Sequence, residues 1–277
     1  MNVEIIAEIG ASHEGKLDTA LRLAEGAARA GATVIKTQVG VDELAAETSA
    51  LHDTFAELEL PLEQWEKVAE ECRNLGVKFS ASCWSPRAVE WLASQKDIPW
   101  IKVGSGDANF EPMLEAAAGS GLPVYLSTGL CTTAEVDRAV QVLGPSLRCL
   151  LACTVEYPSA AHNANLSRLR RLRAFGAPLV GFSSHCRDWR VPFYATQLGA
   201  AVIEVHFATN LDVGQAQGAL FPHELAQLAS TINDSPGHSL PAAFRFSALG
   251  GSDLGVLECE KSWVDLARRD QAVGMRA

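Results

Sequence analysis

The chain has 277 residues, a formal charge of −10, 48% hydrophobic residues and 20% charged ones. That balance fits a soluble globular enzyme of one large domain or two modest ones. The acidic sign argues against nucleic acid as a partner, because a phosphate backbone needs a basic face. No run of about 18 apolar residues is present for a membrane span. The start, Met1-Asn2-Val3-Glu4, lacks a signal-peptide layout. Seven cysteines without a CxxC pair read as reduced, core-filling thiols of a cytoplasmic enzyme.

In chain order, short apolar runs predict strands at 3–9, 33–38, 77–81, 99–103, 123–126, 148–153, 178–182 and 201–206. Amphipathic stretches predict helices at 17–30, 62–75, 86–95, 110–120, 132–143, 165–175, 189–199 and 222–232. Thr132-Thr133-Ala134-Glu135 resembles a capping box, and Pro86 and Pro222 suit first turns. Eight strand-then-helix units predict an α/β fold, a (β/α)8 TIM barrel over residues 1–233; such barrels typically run to about 250 residues. A doubly wound open sheet competes, but the first loop, Gly10-Ala11-Ser12-His13-Glu14-Gly15, is not a GxGxxG turn. Residues 234–277 read as a short C-terminal extension packed on or near the barrel, with a short helix at 260–269.

In a barrel of this kind the site lies where the strands end. Two of those ends carry histidine, Ser183-Ser184-His185 and Glu204-Val205-His206. Strand side chains alternate faces, so Ser183 points with His185 and Glu204 with His206. On neighbouring strands the two imidazoles meet at one mouth and suit a divalent metal with open positions. Glu8, Lys36, Gln38, Ser82, Lys102, Ser105, Asp107, Ser127, Thr154 and Tyr157 gather at the other ends. Lysines and hydroxyls donate hydrogen bonds to an anion, and Gly104, Gly106 and Gly129 let backbone N–H groups approach it. Lys36 costs desolvation inside a barrel, so it is either functional or paired with Glu8. Asp107 equally suits a cap for the helix after Phe110. Trp84, Trp91 and Trp100 read as packing.

These residues also carry a family pattern. The chain resembles the N-acetylneuraminate (sialic acid) synthase family in Ala7-Glu8-Ile9-Gly10, Val34-Ile35-Lys36-Thr37-Gln38 and Lys102-Val103-Gly104-Ser105-Gly106-Asp107. The likeness continues through Leu126-Ser127-Thr128-Gly129, Cys153-Thr154-Val155-Glu156-Tyr157-Pro158, Gly181-Phe182-Ser183-Ser184-His185 and Glu204-Val205-His206-Phe207. The resemblance implies a (β/α)8 barrel that condenses phosphoenolpyruvate with the open-chain aldehyde of an amino sugar, giving a 2-keto-3-deoxy acid and phosphate. It implies His185 and His206 as ligands of manganese or magnesium. It implies Lys36, Ser105, Ser127 and Ser183, with Thr154 close by, as phosphate contacts, and Lys102 at the border of the phosphoenolpyruvate site. Glu8 matches a carboxylate near the metal; Gln38 and Tyr157 match the aldehyde side.

Several positions depart from the pattern. Ser12 replaces an asparagine, Ser184 an aspartate and Val205 a basic residue. Gln215 stands near an expected acid in a shortened loop, Asp212–Gly218, and the loop after Gln38 is also short. The chain stops near Asp270, where the family's antifreeze-like domain begins; the expected acceptor is therefore an aldehyde other than N-acetylmannosamine. A homodimer is the default for a soluble oligomer. Two other readings stay open: a barrel lyase, hydrolase or isomerase acting on a phosphorylated sugar, and a non-catalytic relative that only binds ligand.

Overall fold

The computed structural model describes residues 3–43, 52–209, 217–235 and 237–264. Eight parallel strands close into a barrel in sequence order. They are β1 (Glu4–Glu8), β2 (Val34–Val39), β3 (Lys78–Cys83), β4 (Ile101–Val103), β5 (Val124–Ser127), β6 (Leu147–Cys153), β7 (Leu179–Ser184) and β8 (Val202–His206). Closure is made by β1 against β8, with Glu8 level with His206. The open-sheet alternative is thereby excluded.

Ten α-helices are described: α1 (Leu17–Arg29), α2 (His52–Leu58), α3 (Leu62–Asn74), α4 (Pro86–Ser94), α5 (Glu111–Gly119), α6 (Thr133–Leu143), α7 (Arg168–Arg173), α8 (Arg190–Gln197), α9 (Pro222–Asp234) and α10 (Ala242–Leu249). Their starts follow the local chemistry. Thr132 Oγ1 accepts from Glu135 N at 3.3 Å while Glu135 Oε2 accepts from Thr132 N at 2.7 Å. Ser85 Oγ caps α4 by accepting from Ala88 N at 3.1 Å, with Pro86 in the first turn. Two helices were not expected. α2 has seven residues and α10 eight, too short for a periodic pattern to declare itself. α7 is shorter than expected, because a 3-10 turn at Ala161–Asn163 and the left-handed Asn165 (φ 47°) delay its start. The helix expected at 260–269 begins as a 3-10 turn over Glu258–Trp263, and 265–269 lie outside the described residues.

Strand alternation produces two cores. Side chains such as Ile5, Ile35, Ile101, Phe182 and Val205 pack outward against the helices. Ile6, Val34, Trp100, Tyr125, Cys149, Leu151 and Val202 fill the barrel itself. Trp100 stacks on Tyr125 with centroids 4.4 Å apart and is packing, as expected. Above this apolar plug the inward positions turn polar, so the plug underlies the polar floor of a site open at the strand ends. The seven cysteines are free and six are buried. No described helix is long and apolar enough to cross a membrane.

Candidate active site at the mouth of the barrel

A cavity of about 410 Å³ opens at the strand ends. Eleven of the thirteen expected site residues line it: Glu8, Lys36, Gln38, Ser82, Lys102, Ser105, Ser127, Tyr157, Ser183, His185 and His206. Every strand except β6 contributes an expected residue from its inward face or its end; β6 is followed by the loop that carries Tyr157.

The floor is a buried charge network. Lys36 Nζ bonds to the Glu8 carboxylate and donates to Ser82 Oγ at 2.7 Å. Lys36 is thus paired with Glu8, and both face the cavity. Glu8 Oε1 also accepts from Gly10 N at 2.5 Å. Lys102 Nζ donates to Glu204 Oε1 at 2.7 Å, Ser183 Oγ donates to the same oxygen at 2.8 Å, and Glu204 Oε2 lies 3.8 Å from Lys36 Nζ. Burial alone would raise the Glu204 carboxyl, but Lys102 and Lys36 together hold it well below the usual carboxylate range. Burial pulls the Lys36 ammonium down to about 7, against the attraction of Glu204. Ser127 Oγ is buried on the cavity with no hydrogen-bond partner among the described residues, a donor left for a ligand.

The two imidazoles sit beside this network. Their ring centroids are 5.2 Å apart. His185 Nδ1 lies 2.7 Å from the Thr154 carbonyl oxygen. A carbonyl only accepts, so Nδ1 carries the proton and Nε2 keeps its lone pair. Burial lowers His185 to about 4, the Thr154 bond opposing; burial, helped by His185, also lowers His206 well below its ordinary value. Both rings are therefore neutral at pH 7, the state a metal requires. No group of three or more His, Cys, Asp or Glu side chains suited to an ion occurs among the described residues. Two neutral imidazoles with the remaining positions left to substrate and water fit a catalytic rather than a structural ion.

Two expected residues do not line the cavity. Asp107 is fully buried at the end of the 3-10 turn Ser105–Asp107, which presents Ser105 and Gly106 to the cavity instead. Nor does it cap α5, whose N-cap position is Phe110. Thr154 donates its hydroxyl to the Asn163 carbonyl at 2.7 Å, so it serves the site through its own carbonyl on His185. Gly129 likewise spends its N–H on Ser105 Oγ at 3.0 Å. Conversely, Glu204, Trp84, Phe55, Gln217 and Trp263 line the cavity without having been singled out as site residues. Parity had already put Glu204 on the face of His206 without naming it a site residue, and the same rule would have found Trp84, two residues after Ser82. Trp84 is not only packing: it covers Gly104, where a Cβ would fall 2.7 Å from the indole. Phe55 and Trp263 arrive from outside the strand repeat and leave no such signal.

The NeuB family profile matches residues 23–236. The chain belongs to the NeuB family. Among relatives, the N-acetylneuraminate-9-phosphate synthase of Drosophila melanogaster is 33% identical over 262 residues, covering 87% of this chain and 70% of that one. The N,N'-diacetyllegionaminic acid synthase of Legionella pneumophila is 30% identical over 260 residues, covering 85% and 72%. The crystal structure of the N-acetylneuraminic acid synthetase from Leptospira borgpetersenii superposes with a TM-score of 0.80 at 28% identity, covering 96% of this chain and 91% of that one. Of the positions where this NeuB barrel departs from the sialic acid synthase pattern, Ser12, Ser184 and Val205 do not line the cavity. Ser184 Oγ accepts from Cys186 N at 3.3 Å, and Val205 packs in the outer core. Gln215 lies outside the described residues.

Proposed function

We propose that the chain condenses phosphoenolpyruvate with the aldehyde of an open-chain sugar to give a 2-keto-3-deoxy acid and inorganic phosphate. The observation that carries the reading is one cavity holding a lysine–hydroxyl cradle, a buried carboxylate and two neutral imidazoles. Lys36, Lys102, Ser105, Ser127 and Ser183 bind the phosphate and carboxylate of phosphoenolpyruvate and hold their charge throughout, a preorganised electrostatic role. The enol carbon of phosphoenolpyruvate attacks the aldehyde carbon, and positive charge develops at the carbon bearing phosphate. Glu8, within reach of the same cradle, orients a water and takes its proton as the water adds there. The proton held by Glu8 passes to the former aldehyde oxygen, now an alkoxide. The tetrahedral adduct then expels phosphate, which carries off the adduct's hydroxyl proton as the ketone forms and whose charge stays against the two lysines. Gln38 and Tyr157 line the aldehyde side. His185 and His206 would hold a divalent ion, manganese or magnesium, which supplies Lewis acidity toward the aldehyde oxygen. Charge balance supports that ion. With both imidazoles neutral, Lys36 and Lys102 only offset Glu8 and Glu204, and an anionic substrate calls for a further cation.

The acceptor is proposed to be an aldehyde other than N-acetylmannosamine, on the strength of Gln215 and the shortened loop around it. The test is phosphate release by the purified protein with phosphoenolpyruvate, manganese and a panel of aldehydes, followed by mass spectrometry. Release that needs both phosphoenolpyruvate and an aldehyde is expected. Release from a phosphorylated sugar alone favours a lyase or hydrolase, and rapid N-acetylneuraminate formation contradicts the acceptor assignment.

A further inference from the structure

The residues after α10 fold back across the mouth of the barrel, and two deeply buried charged side chains fix where they lie. Arg168, 1% exposed, donates from Nε to Asp253 O at 3.0 Å, from Nη2 to Gly255 O at 3.0 Å and from Nη1 to Cys153 O at 3.3 Å. Glu260, fully buried, accepts from Val155 N at 2.8 Å and from Leu257 N at 2.9 Å. Arg168 therefore clamps the strap to the end of β6, and Glu260 clamps it to the loop that follows. Burying a guanidinium and a carboxylate is costly unless their hydrogen bonds are met, so the strap has one well-defined seat.

That seat places Trp263 on the cavity. Its indole meets Tyr157 edge-on with centroids 5.3 Å apart, and Tyr157 stacks on His185 at 3.9 Å. This aromatic pair is therefore the part of the cavity wall that adjoins His185. The charged lining residues belong to the floor, whereas Phe55, Trp84, Val155, Tyr157 and Trp263 make the surroundings apolar. Aromatic faces of this kind bind the C–H faces of neutral sugars and of acyl groups.

We infer that Trp263 is a specificity-determining residue of the acceptor subsite, which takes the body of a neutral aldose. The inference rests on the condensation reading for the location of the carbonyl. Glycolaldehyde has no body to reach Trp263 and serves as the internal control.

In Trp263→Ala, KM for whichever of mannose, arabinose or N-acetylmannosamine the parent turns over fastest rises at least tenfold. KM for phosphoenolpyruvate and kcat/KM for glycolaldehyde stay within twofold, and Trp263→Phe recovers most of the loss. Equal aldose KM in parent and alanine variant overturns the assignment. So does a parallel fall with glycolaldehyde, which marks a merely structural role through Tyr157 and His185. Saturation-transfer NMR with the same three aldoses gives a readout without turnover: transfer seen in the parent and lost in Trp263→Ala supports the assignment, and equal or absent transfer overturns it. If the parent turns over no aldehyde, the condensation reading fails by itself while the NMR comparison still decides on Trp263.

Discussion

Two carboxylates inside the same barrel, Glu4 at the bottom and Glu204 at the top, are driven in opposite directions. Glu4 is hydrogen-bonded by neutral donors: Trp100 Nε1 donates to Glu4 Oε1 at 3.1 Å, and the Tyr125 hydroxyl bonds to it as well, while the Lys78 ammonium attracts it without bonding and does not offset burial. Burial there wins, and the Glu4 carboxyl is raised above its ordinary value. Glu204 is more deeply buried, yet two lysines reverse the sign. The bottom layer is a plug that tends toward neutrality. The top layer keeps its ions, because each is paired and each face of the network opens on the cavity. Burial alone does not mark a functional carboxylate; burial together with paired cations at the strand ends does.

The largest expected effect falls on the top layer. His185→Ala and His206→Ala should abolish turnover and weaken manganese binding by calorimetry; unchanged rates in both would remove the metal assignment. Lys36→Met should cost about 10³-fold in kcat, the scale of losing a preorganised charge donor, while circular dichroism stays native-like. Glu204→Gln should destabilise by about 3 kcal/mol, because it leaves Lys102 without a charged partner. The pH sign follows from the depressed folded-state value of Glu204: its contribution is full above 4.5 and is lost as pH falls below that. Denaturant melts of parent and variant should therefore converge in acid, and a constant gap from pH 3 to 7 would contradict the pairing.

Smaller effects probe the rim and the plug. Gly104→Ala, with its Cβ 2.7 Å from Trp84, should push the indole into the cavity and cost about 1–3 kcal/mol by overpacking. Its readout is a lowered melting midpoint together with a raised acceptor KM. Glu4→Gln should leave turnover within twofold. Because Glu4 is raised in the folded state, the native protein loses stability as pH climbs from 4.5 through that raised value, and the glutamine variant escapes that loss. The variant's advantage should grow across that window. A tenfold fall in rate would place Glu4 in the chemistry and collapse the contrast between the layers.

The barrel was legible because strand parity and helix starts repeat eight times, and each unit supports the next. The floor was legible for the same reason: Glu8, Lys36, Lys102, Ser183, His185 and His206 all stand on inward positions or at strand ends. Loop residues were less so. Asp107 and Thr154 have the right chemistry, but a single 3-10 turn moves one off the cavity and the Asn163 carbonyl occupies the hydroxyl of the other. Trp263 was not legible at all. Its place depends on Arg168 and Glu260, residues whose partners are backbone atoms far away in sequence, and such bonds leave no periodic trace.

The central claim is that the two imidazoles and the lysine–hydroxyl cradle serve one reaction centre. A crystal soaked with manganese and phosphoenolpyruvate, measured at the manganese edge, tests it most directly. The account predicts one anomalous peak bonded to both His185 and His206, with the phosphate against Lys36, Lys102 and Ser127. A peak held by neither ring, or phosphoenolpyruvate bound away from the lysines, contradicts it.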